Sequence, residues 1–422
     1  MKEHVIVGFG FGPIQSGLFA KEAFEGGNFK RIVIADIDAR MVDAVRADKG
    51  TYYVNVAKSD GIEILKIDGV EMVNPSVPQD RKVLLDALAE ATEIVTSLPS
   101  VKFFDDNTDT SVAALIAAGL KNSRAKATIV YTAENNNHAA EILQDLVHKR
   151  IGYIDANRIQ FLNTVIGKMS QVVTDADMIR KLSLKPMAAT IDRAFLVEAF
   201  NKILVTRTTI NGFKPGIQVF IEKDNLLPYE EAKLYGHNAI HAVLAYLGAV
   251  KGYTYMTELK NDPVLMKIAR DAFLNESGEA LIRKHKHLND ELFTSAGYKA
   301  YADDLLERMT NPYLQDTIER AGRDLIRKLG YEDRIFGTMA VALEQGIEPV
   351  NMAVGALAGI VILLKNARAN NVPHQLHFDP DVLDGDKIKA ILDWLWSTKS
   401  GRYAEAMIAI IKNALPLWAR VF

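Results

Sequence analysis

The chain of 422 residues contains no cysteine, which excludes disulfides, thiolate nucleophiles and every zinc site built on sulfur, and suits a reducing compartment. It also lacks a basic excess: 50 Lys and Arg against 53 Asp and Glu leave a formal charge of −3. With so little positive charge to hold a phosphate backbone, nucleic acid is not expected as a partner. No apolar run approaches the roughly 20 residues that span a bilayer. The longest, Met352–Leu364, has 13 residues including two glycines and reads as a buried helix, so no membrane partner is expected. Internal repeats and low-complexity tracts are absent as well. The start, Met1-Lys2-Glu3-His4, runs straight into an apolar strand without the basic, apolar and small-residue succession of a secretory leader. The expectation is a cytoplasmic protein of two or three domains whose chemistry rests on nitrogen and oxygen groups. The basic cluster Arg283-Lys284-His285-Lys286-His287 reads as a solvated helix face.

What is present begins with an alternation. His4–Val7 is strand-like, a glycine cluster follows, and Ile14–Ala23 has helical spacing. A second strand, Arg31–Ala35, ends in Asp36 and leads to a helix over Ala39–Arg46. Strand-like Glu93–Thr96 and Thr128–Tyr131 then alternate with helical Asp80–Glu90, Thr110–Ala118 and Asn137–Lys149. Alternation of this kind predicts an α/β Rossmann-like domain with a mostly parallel, doubly wound sheet. Phe195–Val205 and Ile217–Glu222 are strand-like and extend that sheet or cover its edge. Beyond about residue 225 nearly every segment is helical, broken at Asp262-Pro263, Asn311-Pro312 and Glu348-Pro349. The expected division is a dinucleotide-binding domain over 1–205 and an all-α domain over 206–422.

The glycine turn Val7-Gly8-Phe9-Gly10-Phe11-Gly12-Pro13 lies between the first strand and the first helix. There, small residues let a pyrophosphate approach the backbone N–H groups of a helix N-terminus. In the usual register a third glycine falls at 13, where this chain has Pro13. Asp36, at the end of the second strand, is placed to accept hydrogen bonds from ribose hydroxyls and to repel a 2′-phosphate. The pair points to NAD rather than NADP, with Arg40 nearby as a counter-indication and a glycine turn without a ligand as the alternative.

The helical half opens with Tyr229-Glu230-Glu231-Ala232-Lys233-Leu234-Tyr235-Gly236-His237-Asn238-Ala239-Ile240-His241. At about 100° per residue, Lys233, Asn238 and His241 fall at roughly 0°, 140° and 80°, within one sector of a helix. A cation, an amide and an imidazole converge there; residue by residue, a polar helix face without a ligand remains the alternative. A metal reading of His237 and His241, four apart, lacks the glutamate of a zincin and a third ligand.

Lys233, Asn238 and His241, spaced five and then three, resemble the signature of the polyol-specific long-chain dehydrogenases, and the stretch to Tyr246-Leu247-Gly248 resembles their branch acting on mannitol 1-phosphate. The resemblance continues through Ala133-Glu134-Asn135, Asn163 to Met169, Glu276-Ser277-Gly278, Asn311-Pro312-Tyr313-Leu314 and Glu319-Arg320 to Arg327-Lys328-Leu329. It spans roughly residues 4 to 350, departs from the family at Pro13 and at Ser97-Leu98-Pro99, and is weak over the last 70 or so residues.

The resemblance implies an active site in a cleft between the two domains and NAD-dependent, metal-independent interconversion of D-mannitol 1-phosphate and D-fructose 6-phosphate. Oxidising a secondary alcohol requires a base for the hydroxyl proton as hydride leaves. Lys233 takes that role if its pKa is lowered, Asn135 and Asn238 donate to the developing oxyanion, and His241 holds a substrate hydroxyl. Glu230, one turn before Lys233, relays the proton or is an ordinary first-turn carboxylate. Cofactor contacts are implied for Gly8, Gly10, Phe11, Gly12, Asp36, Ser97, Leu98 and Asn135. Substrate contacts are implied for Asn163, Lys168, Arg320 and Lys328, the last three as candidates for a phosphate. Arg320 and Lys328, eight apart, fall about 80° apart on a continuous helix. A monomer or weak homodimer is implied. The rivals are a relative acting on free mannitol, arabinitol, tagaturonate or fructuronate, and a non-catalytic NAD-binding sensor.

Overall fold

The computed structural model describes residues 3–397 and 400–422. Contacts divide the chain into two units, 1–227 and 228–422. In the first, twelve strands among the described residues form two sheets: β1 (His4–Phe9), β2 (Phe29–Ala35), β3 (Tyr52–Ala57), β4 (Ile62–Ile67), β5 (Val70–Val73), β6 (Glu93–Thr96), β7 (Thr128–Thr132), β8 (Ile159–Ile166), β9 (Ser170–Val173), β10 (Ala194–Glu198), β11 (Ile203–Thr206) and β12 (Phe220–Lys223).

The larger sheet has the order β12-β11-β8-β7-β6-β1-β2-β5. From β5 to β8 every pairing is parallel, the doubly wound arrangement expected from the alternating pattern. β1, at its centre, is buried along nearly its whole length, as a strand covered on both faces must be. Pro78–Glu90, Val112–Lys121 and Ala139–Ile151 cover one face through Leu84, Leu88, Leu115, Ile116 and Leu143. Over the other face lie the first helix, with Leu18 and Phe19, and the second sheet.

The second sheet, β4-β3-β10-β9, was not anticipated. It forms because β10 pairs in parallel with β3, about 140 residues earlier, a non-local pairing that periodicity does not reveal. The run expected as one strand over 195–205 is therefore two. β10 joins the second sheet and β11 turns back to pair antiparallel with β8 in the first. Lys168 pins the crossing, its buried ammonium donating to the carbonyls of Glu198 and Phe200. The boundary expected at 205 falls inside β11, and the pairing of β11 with β8 and β12 keeps the chain in the first unit to 227.

The second unit is helical, as expected. Its centre is Val350–Lys365, apolar on nearly every side and packed against Ala239–Lys251 and Ala404–Val421. Glu276 seats it, accepting from the Asn351 and Met352 N–H groups at 2.7 and 2.8 Å, a carboxylate at the positive end of a helix. The C-terminal stretch where the family resemblance fades is integral to this core, with Trp396 Nε1 donating to the Leu329 carbonyl at 3.1 Å. Among the described residues no helix is long and apolar enough to cross a membrane.

Candidate active site

In the first unit a candidate site lies at the C-terminal ends of β1 and β6, where the strand order reverses and open α/β sheets bind their ligands. Phe9 ends β1 and its carbonyl takes the Ser97 N–H at 3.0 Å, so the glycine turn and the Ser97–Leu98 turn lie side by side. Gly10 has φ +87° and any Cβ there would meet the Ser97 carbonyl at 2.6 Å. Only glycine fits that left-handed, crowded position. Gly12, by contrast, faces open space.

Pro13 begins the helix, where its missing N–H costs nothing, and the chain then runs as a π-turn over Gln15–Phe19 before becoming α. The close packing expected of a glycine at 13 is supplied by Gly17, whose Cβ would strike Val197 at 2.6 Å. Asp36 accepts the Phe11 N–H at 2.6 Å and the Asp38 N–H at 2.8 Å, bracing the turn and leaving lone pairs for a diol. Inside the turn the Gln15 Oε1 is buried and without a partner among the described residues. An open glycine, a helix N-terminus and a carboxylate at the strand end fit the pyrophosphate and ribose of a dinucleotide.

One contributor was missed. Glu134 is buried, and its carboxylate accepts Thr96 Oγ1 at 2.9 Å and the Leu98 N–H at 2.8 Å, fixing the Ser97–Leu98 turn. Burial raises its pKa against those donors. Asn135, beside it, is exposed. Asn163 is engaged inside the unit: its Oδ1 accepts the Ala140 N–H at 2.9 Å and its Nδ2 donates to Glu141 at 2.8 Å, tying β8 to the start of the preceding helix Ala139–Ile151.

The helical unit carries a candidate cluster of its own, and the uniform 100° spacing assumed for it is corrected by the structure. Ala232–Asn238 is a π-helix between Leu227–Glu231 and Ala239–Lys251. In π-geometry residue i bonds i+5, so Lys233 and Asn238 stack one turn apart instead of diverging by about 140°. His241 continues the face one α-turn on. Neighbouring side chains hold the wide turn open. Tyr301 donates to the Ala232 carbonyl at 3.3 Å, while Ser277 and Thr338 donate to the Tyr235 carbonyl at 2.9 and 3.0 Å. The basic cluster read as a solvated face is partly a clamp: Lys284 and His285 bond Glu231 at 2.9 and 2.7 Å, immediately before the π-turn.

Burial brings the Lys233 ammonium down from 10.5 to about 8; Glu230 opposes the change and Arg334 adds to it. An amine so placed is a competent base near neutral pH. The His241 Nε2 lies 2.9 Å from Asp316, whose other oxygen accepts Arg320 Nε at 2.7 Å. Burial would raise the Asp316 carboxyl, but His241 and Arg320 outweigh it and hold it at about 2. Asp316, 75 residues from His241, was not legible in the sequence. Arg320 and Lys328 do not share a continuous helix. Ile318–Gly322 ends, Asp324 takes φ +63°, and Leu325–Lys328 starts anew. Lys328 is buried and donates to the Ala321 carbonyl at 2.7 Å. Among the described residues no three His, Asp or Glu side chains gather as a metal site.

A doubly wound sheet with a glycine-rich turn at its switch point, followed by a helical unit carrying a lysine of lowered pKa, is the outline of a two-unit dehydrogenase. The comparisons with known proteins agree. Residues 225–376 match the family described as the mannitol dehydrogenase C-terminal domain. Over 365 residues, 85% of this chain and 86% of the other, the sequence is 26% identical to mannitol-1-phosphate 5-dehydrogenase from two strains of Buchnera aphidicola subsp. Acyrthosiphon pisum. D-sorbitol dehydrogenase in its substrate-free form shares the fold with TM-score 0.77 and 15% identity, over 99% of this chain and 94% of that one. Pseudomonas fluorescens mannitol 2-dehydrogenase, solved with NAD and D-mannitol, does so with TM-score 0.66 and 17% identity, over 98% and 92%. The chain is similar along most of its length to oxidoreductases of the mannitol dehydrogenase family, and its residues 225–376 match that family's C-terminal domain.

Proposed function

We propose that the protein is an NAD-dependent mannitol-1-phosphate 5-dehydrogenase, interconverting D-mannitol 1-phosphate and D-fructose 6-phosphate. The observation that carries the reading is Lys233 on its π-turn, depressed to about 8 with Asn238 stacked one turn away. The relative named for that reaction supports the choice of substrate. NAD, when bound, supplies the hydride acceptor. Gly10, Gly12 and the helix start at Pro13 receive its pyrophosphate, and Asp36 receives the ribose hydroxyls and disfavours a 2′-phosphate.

Neutral Lys233 removes the proton from the substrate hydroxyl during oxidation and, as the ammonium, returns it during reduction. The amides of Asn238 and Asn135 donate to the oxygen on which charge builds. His241, fixed by Asp316, orients a substrate hydroxyl; because Asp316 accepts from it, the ring nitrogen facing the substrate acts as an acceptor when the imidazole is neutral. Glu230, whose charge is felt at Lys233, carries the proton toward solvent.

A second reading, activity on an unphosphorylated polyol, is favoured by the two structural relatives, both named for free polyols. NADH oxidation measured across fructose 6-phosphate, fructose, fructuronate and tagaturonate separates the two. Fructose 6-phosphate is expected to have the highest kcat/KM, and a higher value for fructose or a keto-uronate would assign the other reading.

A further inference from the structure

Residues 232–238 hold a register that a helix does not adopt unaided, because a π-turn is rare and persists where side chains engage its carbonyls. Three hydroxyls meet the turn from other elements, and counting their protons ranks them. Thr338 Oγ1 lies 3.0 Å from the Tyr235 carbonyl and closer still to the Arg334 carbonyl, four residues back on its own helix. Its single proton is divided between the two, and the shorter contact is the usual back-bond of a helical threonine. Tyr301 reaches the Ala232 carbonyl at 3.3 Å, a long contact. Ser277 Oγ lies 2.9 Å from the Tyr235 carbonyl and 3.2 Å from the Tyr298 hydroxyl. A carbonyl can only accept, so the Ser277 proton goes to Tyr235 and Tyr298 donates to Ser277. The result is a relay from Tyr298 through Ser277 to the backbone of the π-turn.

Tyr298 is fully buried and keyed between two π-turns. A Cβ at Gly236, in the turn that carries Lys233 and Asn238, would meet its hydroxyl at 2.7 Å. A Cβ at Gly278, in the second π-turn Ala272–Gly278, would meet its ring at 2.7 Å. The ring stands edge-on to Phe273 of that second turn, with centroids 5.9 Å apart. The second turn is in its turn tied to the centre of the unit, since Glu276, next to Ser277, accepts the N–H groups at the start of Val350–Lys365. One tyrosine and one serine thus hold the turn that carries Lys233 at a fixed place against the core.

We propose that Ser277 and Tyr298 are positioning residues for the reaction: their hydroxyl relay keeps residues 232–238 in π-register, with Lys233 buried and Asn238 stacked one turn away. The inference rests on the reading of Lys233 as the base and extends it to residues that act through the backbone. Without the relay the Tyr235 carbonyl loses the one hydroxyl committed to it, and the turn relaxes toward α-geometry. Lys233 then gains solvent, which favours its ammonium, and Asn238 leaves the stack from which it donates.

The test uses the full chain with Ser277→Ala, Tyr298→Phe and the double variant. Steady-state reduction of fructose 6-phosphate by NADH is followed between roughly pH 6 and 10. Trace labelling with acetic anhydride over the same range, quantified at Lys233 by mass spectrometry, reads the amine without any substrate. Wild-type Lys233 should label with a midpoint near 8. Ser277→Ala should raise that midpoint by at least about half a pH unit and lower kcat at least about tenfold, with the KM for NADH within about twofold of wild type. Tyr298→Phe keeps the ring and should move both quantities the same way by less. Added to Ser277→Ala it should change kcat by less than about twofold, because the tyrosine acts through the serine. A lower melting temperature with midpoint and kcat unmoved would overturn the inference and leave the two residues as packing alone. Fully additive losses in the double variant would overturn the relay. If Ser277→Ala fails to fold, Tyr298→Phe decides by the same midpoint and kcat. A wild-type midpoint near 10.5 would instead refute Lys233 as the base, a result distinct from a midpoint near 8 that neither variant moves.

Discussion

Replacing Lys233 by methionine removes a titrating amine while keeping a flexible apolar stem in the same space. With its pKa at about 8 instead of 10.5, roughly one lysine in ten is neutral at pH 7, against about one in 3,000 for an ordinary lysine, a gain of about 300-fold in available base. Wild-type alcohol oxidation should therefore rise about tenfold per pH unit and level near pH 8, while ketone reduction, which needs the ammonium, should fall above it. Lys233→Met should lose at least about 100-fold in kcat in both directions while still binding NADH.

The same shift has a stability consequence of opposite sign. Between about pH 8 and 10.5 the unfolded chain holds a proton that the folded chain has released, so stability rises with pH across that window. Below it the buried ammonium costs up to about 3 kcal/mol, and Lys233→Met should gain on the order of 1–3 kcal/mol at neutral pH. NADH absorbance between roughly pH 6 and 10 and thermal melts at pH 7 measure both effects. Near wild-type turnover in the variant, profile limbs close to 10.5, or a less stable variant would each refute the reasoning.

Asp36→Ala should narrow the preference for NADH over NADPH and weaken both, because the carboxylate also holds the N–H groups of Phe11 and Asp38; a wild type already preferring NADPH would contradict the assignment. Asp316→Asn should cut kcat by about tenfold or more through a misoriented His241, with the KM for NADH unchanged, and a wild-type rate would show that His241 needs no such partner. Glu93 is fully buried with Oε2 unpartnered among the described residues; burial raises its carboxyl to about 8 despite the N–H groups of Gly216 and Ile217. Its folded pKa lies above the ordinary 4.5, so its contribution is complete below that pH and is lost as pH rises through about 8. Glu93→Gln should flatten that part of the pH–stability curve, and an unchanged slope in urea melts would disprove it.

The sequence by itself determined what depends on neighbours along the chain. Alternating apolar runs and caps placed β1, β2, β6 and β7 and the helices between them, because periodicity and turn chemistry are local. The glycine turn and Asp36 were legible because one strand-to-helix connection carries both constraints. The buried character of Met352–Leu364 followed from its composition alone. Tertiary structure decided whatever depends on distant partners. β10 left the main sheet because β3 offered an edge. Residues 232–238 became a π-turn because hydroxyls from Ser277, Tyr301 and Thr338 hold its carbonyls, bringing Lys233 and Asn238 into one stack that helical arithmetic at 100° per residue had spread apart. His241 found Asp316, Leu98 found Glu134, and Arg334 came to bear on Lys233 only on folding. The lowered pKa of the lysine belongs to the same class, because burial is a property of the packed unit and no spacing of residues encodes it directly.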